Sequence, residues 1–423
     1  MAALPVVSAL ARLRREPFDD LRIADHVNQL CRDAAHVWRE TLLTPLVTLR
    51  LFVLQVLHGN TSITHVRQLS GVGFAPASYC EARQRLPLTI LMALLGRMVQ
   101  WANTCVASPL RFIGQRVLIV DGSSFSMSDT PALREHFGLP PSTQVGIGYP
   151  VGKLLGLLDA TTGLFVHMLA LPLFVHDMGQ VVRLHAMLRS GDILLGDRAF
   201  CSYAHVALLN AAGVFACFRL HQRRRTSRMR GIERWRRGTN RPLWMTPVQW
   251  QQLPKWIDVR LVRYTIAIPG HRTRHVVLAT TLLDETLWPD AKLAELYGRR
   301  WEIETCFDHL KTTMQMNVLK CQSVDGVLKE LAVYLLVYNL IRLMMLREAQ
   351  RRGVPVNRIS FVDALRWMCC MMLGIGGVDE LLINPHRPGR RDPRVIRRRL
   401  KEYNLMKRPR ADLKRSETFG ENR

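Results

Sequence analysis

Four aliphatic residues, Val117-Leu118-Ile119-Val120, run without a break into Asp121-Gly122. A short apolar run closed by a turn pair reads as a strand buried on both faces. Such a strand belongs in the middle of a sheet, and the carboxylate that follows it belongs at the sheet's solvent edge. The same pattern recurs at residues 192–195, which end in Gly196-Asp197-Arg198. Residues 151–160 and 164–174 read as two further strands on either side of Thr161-Thr162-Gly163. Residues 179–189 and 206–212 fit helices, and 214–220 is strand again. Strands and helices in this order predict an α/β domain.

The flanks have a different texture. Residues 1–110 are leucine-rich with little turn chemistry and predict a helical domain that suits DNA binding, although no helix-turn-helix signature is present. Residues 219–241 hold ten arginines and one acid, Glu233. Strand-like runs at 259–268 and 275–281 follow, so a basic, β-rich insertion is expected over 221–275. The core would then comprise 111–220 and 276–345. Residues 290–313 form one long helical pattern with Pro289 at its start. Residues 346–423 are helical and then basic: from His386 onward there are fourteen Lys and Arg against five Asp and Glu.

Charge narrows the class of partner. Lys and Arg number 59 against 34 Asp and Glu, a formal net charge of +25. A surplus of that size attracts a polyanion, and nucleic acid is the first candidate. A membrane partner is disfavoured. The most apolar run, residues 331–346, contains Asn339 and Arg342 and falls short of the roughly 20 residues a bilayer demands, so a buried core helix is expected there. Residues 1–15 lack the pattern of a secretory signal. The nine cysteines form no C-x-x-C pair, which argues against a zinc ribbon and for reduced thiols in a cytoplasmic protein.

The chemistry concentrates on three carboxylates. Two strand-end aspartates, Asp121 and Asp197, offer the hard oxygen ligands that Mg²⁺ prefers, although Asp-Gly and Gly-Asp also simply begin turns. The third piece lies in the helix of residues 290–313. At about 100° per residue, Arg300, Glu304 and Lys311 fall at about 300°, 340° and 320° from Tyr297. A phenol, a guanidinium, a carboxylate and an ammonium therefore share one face. Glu304 can ligate metal while Arg300 and Lys311 hold phosphate oxygens and Tyr297 adds a hydroxyl contact to DNA; a solvated salt-bridging face has the same spacing. Arg198, Arg219 and the run Arg223, Arg224 and Arg225 are further candidates for DNA backbone contacts. His176-Asp177 reads as a local hydrogen-bonded turn.

The spacing Y-x2-R-x3-E-x6-K from Tyr297 to Lys311 resembles the signature of the insertion-sequence-four family of bacterial DDE transposases. Asp121 in Val-Leu-Ile-Val-Asp-Gly is similar to that family's first catalytic aspartate, and Asp197 in Gly-Asp-Arg-Ala-Phe to its second. Glu304 matches the glutamate, and Ser78-Tyr79-Cys80-Glu81-Ala82-Arg83 extends the likeness upstream. The resemblance implies an RNase H-like catalytic core with a β-rich insertion between the second aspartate and the glutamate. It implies two Mg²⁺ ions, or Mn²⁺ in their place, held by Asp121, Asp197 and Glu304. It also implies a nucleoid-associated enzyme that binds the terminal inverted repeats of its element, cleaves there and joins 3′-hydroxyl ends to target DNA, as a homodimer on paired double-stranded ends. Related enzymes carry a base-stacking Trp on the insertion strand before the Y-R-E-K helix. The comparable strand here reads Arg274-His275-Val276-Val277, which leaves a hairpin step open. Two other functions share the same residues: an RNase H-like endonuclease without strand transfer, and a catalytically decayed DNA-binding repressor.

Overall fold

The computed structural model describes residues 23–38, 40–105, 111–141, 148–224, 226, 229–266, 275–374 and 380–385. The basic tail from His386, Arg225 and Arg274 lie outside the described residues. Among the described residues five helices come first: α1 (Ile23–Asp33), α2 (Pro45–Leu57), α3 (Ile63–Ser70), α4 (Pro76–Arg85) and α5 (Leu88–Cys105). Their ends follow from local chemistry. Thr44 accepts from the Val47 amide with Pro45 in the first turn of α2, and Ser62 caps α3 by accepting from the His65 amide. Nearly every residue of α2 is buried, as an all-round apolar helix requires.

The core follows: β1 (Val117–Met127), α6 (Pro131–Phe137), β2 (Val151–Asp159), β3 (Phe165–Pro172), α7 (Asp177–Gln180), β4 (Ile193–Gly196), α8 (Tyr203–Ala211) and β5 (Phe215–Arg219). β1, β2 and β3 form an antiparallel meander, while β4 and β5 add parallel to the other edge of β1. The order β3-β2-β1-β4-β5 is the expected RNase H-like sheet. Arg116 and Asp192, both buried, pair across the starts of β1 and β4, with Arg116 Nε donating to Asp192 Oδ1 at 3.0 Å. That pair helps set the register that matters for the site. Breaking such a buried pair from one side typically costs about 3–5 kcal/mol.

The insertion does not form a separate body. β6 (Gly231–Arg236), α9 (Pro247–Gln252), β7 (Trp256–Thr265) and β8 (His275–Thr280) continue the same sheet, because β8 pairs antiparallel with both β5 and β7. Thr280 and Thr281 seal the seam: the Thr280 hydroxyl donates to the Ala216 carbonyl, and the Ala216 amide donates to Thr281 Oγ1.

After the sheet come α10 (Asp290–Gly298), α11 (Trp301–Asp308), the two-residue β9 (Val318–Leu319), α12 (Val324–Arg352) and α13 (Phe361–Met372). α12 is the buried core helix expected from the apolar run: Val333, Tyr334, Val337, Tyr338 and Ile341 are wholly buried. Its polar Asn339 is satisfied at the start of β3, accepting from the Phe165 amide at 3.0 Å and donating to the Phe165 carbonyl at 2.9 Å. α12 packs on α2, α5 and α13, joining the N-terminal helices to the sheet. Among the described residues no helix is long and apolar enough to cross a membrane, and every described cysteine is free.

Three sequence expectations need correction. Asp121-Gly122 does not end its strand, since β1 runs on to Met127; pairing with β2 continues to Ser126↔Val151, β9 joins at Ser126 and Met127, and Phe125 and Met127 are buried. The expected helix over 179–189 is four residues of α-helix followed by 3-10 turns over Val181–Met187. Gly179 and the β-branched pair Val181-Val182 are poor α-helix formers, which fits the tighter winding. The long helix over 290–313 is broken between α10 and α11, and its last turn, His309–Thr313, is π-helical. Gly298 weakens the helix at the break, and i→i+3 bonds from Arg299 to Leu296 and from Arg300 to Tyr297 carry the chain across it.

Candidate active site

The parallel pairing of β1 with β4 ends at Val120↔Gly196. The residues that follow are Asp121 and Asp197, so the register sets the two aspartates side by side on neighbouring strands. Strand neighbours lie about 4.8 Å apart, and the carboxyl edge of a parallel pair is where ligands meet such sheets. Asp197 Oδ1 accepts from the Ala199 amide at 2.7 Å and so caps the short turn Arg198–Phe200. Asp121 Oδ1 accepts from the Gly122 amide at 2.8 Å.

Glu304 reaches the same edge from α11. Arg300 joins it to the sheet: Nη1 lies 3.1 Å from Asp121 Oδ2 and Nη2 lies 2.8 Å from Glu304 Oε1. The Arg300 side chain is 9% exposed and that of Glu304 46%, so the guanidinium is enclosed while the glutamate meets solvent. Lys311 Nζ donates to Ser123 Oγ at 3.3 Å. Ser123 lies two residues beyond Asp121 on β1 and therefore shares its face. The helix break and the π-turn thus leave Arg300, Glu304 and Lys311 on the face that meets β1. Tyr297 belongs to that face but is buried, and burial pushes its phenol well above the usual range.

Burial, and then the repulsion of Asp197 and Glu304, push the Asp121 carboxyl up to about 6; the Gly122 amide and Arg300 pull the other way. Asp121 is repelled by both Asp197 and Glu304, and three hard-oxygen donors are a chemical set suited to a divalent cation. Among the described residues no three His, Cys, Asp or Glu side chains are gathered closely enough to hold a metal ion. The positive charge that Asp121 and Glu304 share is the Arg300 guanidinium.

A sequence model of the transposase DDE domain matches residues 113–340, more than half of the chain. The chain belongs to the insertion-sequence-four family of DDE transposases. A curated relative, the transposase InsG for insertion sequence element IS4 of Escherichia coli (strain K12), is 25% identical over 359 residues, covering 78% of each chain. Among solved structures, the piggyBac transposase synaptic complex with hairpin DNA aligns over 82% of this chain and 76% of that one, at 12% identity and a TM-score of 0.42.

The transposase's other candidate residues are dispersed. Arg198 donates to Gln222 Oε1 at 2.7 Å beside the site, and Arg219 ends β5. Arg223 is exposed, whereas the Arg224 guanidinium lies 3.6 Å from the Trp235 ring centroid. Much of the arginine run has protein partners: within the insertion, Arg234 with Asp258, Arg236 over Trp256, and Arg237 with the carbonyls of Trp250, Gln251 and Leu253, and beyond it Arg230 with Asp290 of α10. β8 carries no tryptophan. Three features of the site escaped the sequence reading. Ser123 would have been legible had β1 been extended. Gly156, paired with Asp121, has no side chain; a Cβ there would come within 2.9 Å of Phe165 and 3.0 Å of Phe307 from α11. Arg299 binds the Ala160 carbonyl and Glu302, tying the helix break to the end of β2.

Proposed function

We propose that this transposase binds the terminal inverted repeats of its own element, cleaves the DNA at their tips and joins the freed 3′-hydroxyl ends to target DNA. The observation that supports this reading best is the Val120↔Gly196 register, which aligns Asp121 with Asp197 while Arg300 draws Glu304 to them. Once Arg300 releases Asp121 and Glu304, the three carboxylates would draw together to hold two Mg²⁺ ions, or Mn²⁺ in their place. Bound there, the ions would supply Lewis-acid polarisation of the scissile phosphate and charge neutralisation at its attacking and leaving oxygens. The protein's part is geometric: β1 and β4 fix two carboxylates on rigid strands, and α11 brings the third.

Arg300, which gives one N–H to each of two carboxylates, would exchange them for phosphate oxygens as DNA enters, its planar fork suiting a bidentate contact. Lys311 would steady a phosphate next to Ser123, and Tyr297 would support the Arg300 side of the helix. Arg198, Arg219 and Arg223 would follow the backbone away from the cut. In the same reading Arg224 acts through the insertion surface that it braces on Trp235, and Arg225 adds charge next to it. Two copies would act on paired ends as a homodimer.

The test is an end-cleavage assay on duplexes carrying the element's own inverted repeats, with a target plasmid, in Mg²⁺ and in EDTA. The expected result is metal-dependent nicking at the repeat tip followed by joined products. Binding without nicking would instead indicate a decayed repressor, and nicking without joining an endonuclease.

A further inference from the structure

His205 lies in the first turn of α8 and is wholly buried. Its Nδ1 is 2.9 Å from the carbonyl oxygen of Phe200. A carbonyl only accepts, so Nδ1 carries the proton and Nε2 of a neutral ring is an acceptor. That Nε2 lies 3.1 Å from Nε2 of His185, which must therefore donate. Phe218 of β5 stacks on His205 at 5.2 Å, and burial holds His205 and His185 down to about 3 and about 4, so both rings are neutral near pH 7. The bonds run in one direction, from His185 to His205 to Phe200.

Phe200 closes the turn that Asp197 opens. The Phe200 amide donates to the Asp197 carbonyl at 3.2 Å, and the Asp197 carboxylate accepts from Ala199. One end of this three-residue turn is held by the carboxylate itself and the other by His205. We propose that His205, oriented by His185, is a positioning residue that fixes the Asp197 carboxylate for cation binding. The Phe200 carbonyl also accepts from the Ser202 amide at 3.0 Å, so without the imidazole it keeps one partner and leaves its second lone pair unpaired in a dry environment; the turn then loses its anchor on the His205 side, and the Asp197 cap shifts with it. This proposal rests on the reading of Asp197 as a metal-holding carboxylate. Removing partners that orient ligands in this way typically costs about 10–100-fold in metal affinity or activity.

The test uses the full chain with His205→Leu, His205→Asn and His205→Gln. An asparagine amide falls near Nδ1 of the imidazole it replaces, whereas a glutamine amide falls near Nε2. The readouts are the Mg²⁺ concentration at half-maximal rise in Tm, duplex affinity without metal, and single-turnover cleavage. The Leu and Gln variants should raise the Mg²⁺ midpoint and slow cleavage by about 10–100-fold, with metal-free duplex affinity unchanged. The Asn variant should recover most of both. A Leu variant within about twofold of wild type in Mg²⁺ midpoint, or an Asn variant no better than Gln, overturns the proposal. If His205→Leu does not fold, His185→Leu replaces it: a raised midpoint supports the proposal and an unchanged one overturns it. Asp197→Asn separates the two layers. If it keeps the wild-type Mg²⁺ response, the ligand assignment fails and this proposal with it. If it loses that response while His205→Leu keeps it, only this proposal fails.

Discussion

Asp121 holds its proton unusually tightly, and this has a consequence for stability without metal. Its carboxyl titrates near 6 in the folded protein, above the 3.9 or so of an unfolded chain. The native state therefore binds the proton more tightly. Stability from this group is fully present below about pH 4 and is lost as the pH rises through about 6, by on the order of 2–3 kcal/mol. In EDTA, Asp121→Asn should match wild type at pH 4 and exceed it at pH 7.5 by that amount in urea melts. Equal stability at both pH values would mean that Asp197, Glu304 and burial do not strain Asp121. The aspartate itself was legible because an apolar run pointed at it. The cause of its strain was not: it is burial first, and then Asp197 and Glu304, and all three arise only through strand register and helix packing.

Between elements, the critical contact is where α11 lies against the centre of the sheet. Gly156 makes room for Phe307 and Phe165 there. Gly156→Ala should destabilise the fold by about 1–3 kcal/mol, as overpacking does, measured as a Tm shift, and should slow cleavage by moving Glu304 away from Asp121. Unchanged stability and rate would show that α11 can retreat freely. Periodicity placed Arg300, Glu304 and Lys311 on one face, and the structure keeps them there although the helix is neither continuous nor wholly α. The four-residue spacing of Arg300 and Glu304 lies within α11 and its cap, so it survives; the seven residues to Lys311 pass into the π-turn. The break at Arg299 was illegible because Arg299 is anchored by the Ala160 carbonyl, a partner in the turn after β2 and remote in sequence. β1 was read too short for a similar reason: Ser123–Met127 has little apolar signal of its own and is held by β2 and β9.

For the molecule as a whole, a formal charge of +25 implies salt-dependent binding to DNA. The structure reduces the arginine run's share of it, since many of those guanidinium groups are engaged within the insertion. Neutralising exposed Arg223 should lower the slope of log affinity against log salt by roughly one, whereas Arg234→Gln, which removes a partner of Asp258, should leave the slope nearly unchanged. Equal effects from both would restore the whole run as a DNA track. The insertion's β-rich character was readable, but its fusion to the core sheet was not, because that depends on β8 pairing with β5. In the proposed reading Asp121, Asp197 and Glu304 form one cation-dependent centre for cutting DNA. It is tested most directly by mixing wild type, Asp121→Asn, Asp197→Asn and Glu304→Gln with inverted-repeat duplex in Mg²⁺ and scoring nicks at the repeat tip alongside duplex binding. All four should bind and only wild type should cut; cutting at the wild-type rate by any one of the three variants would overturn the shared centre.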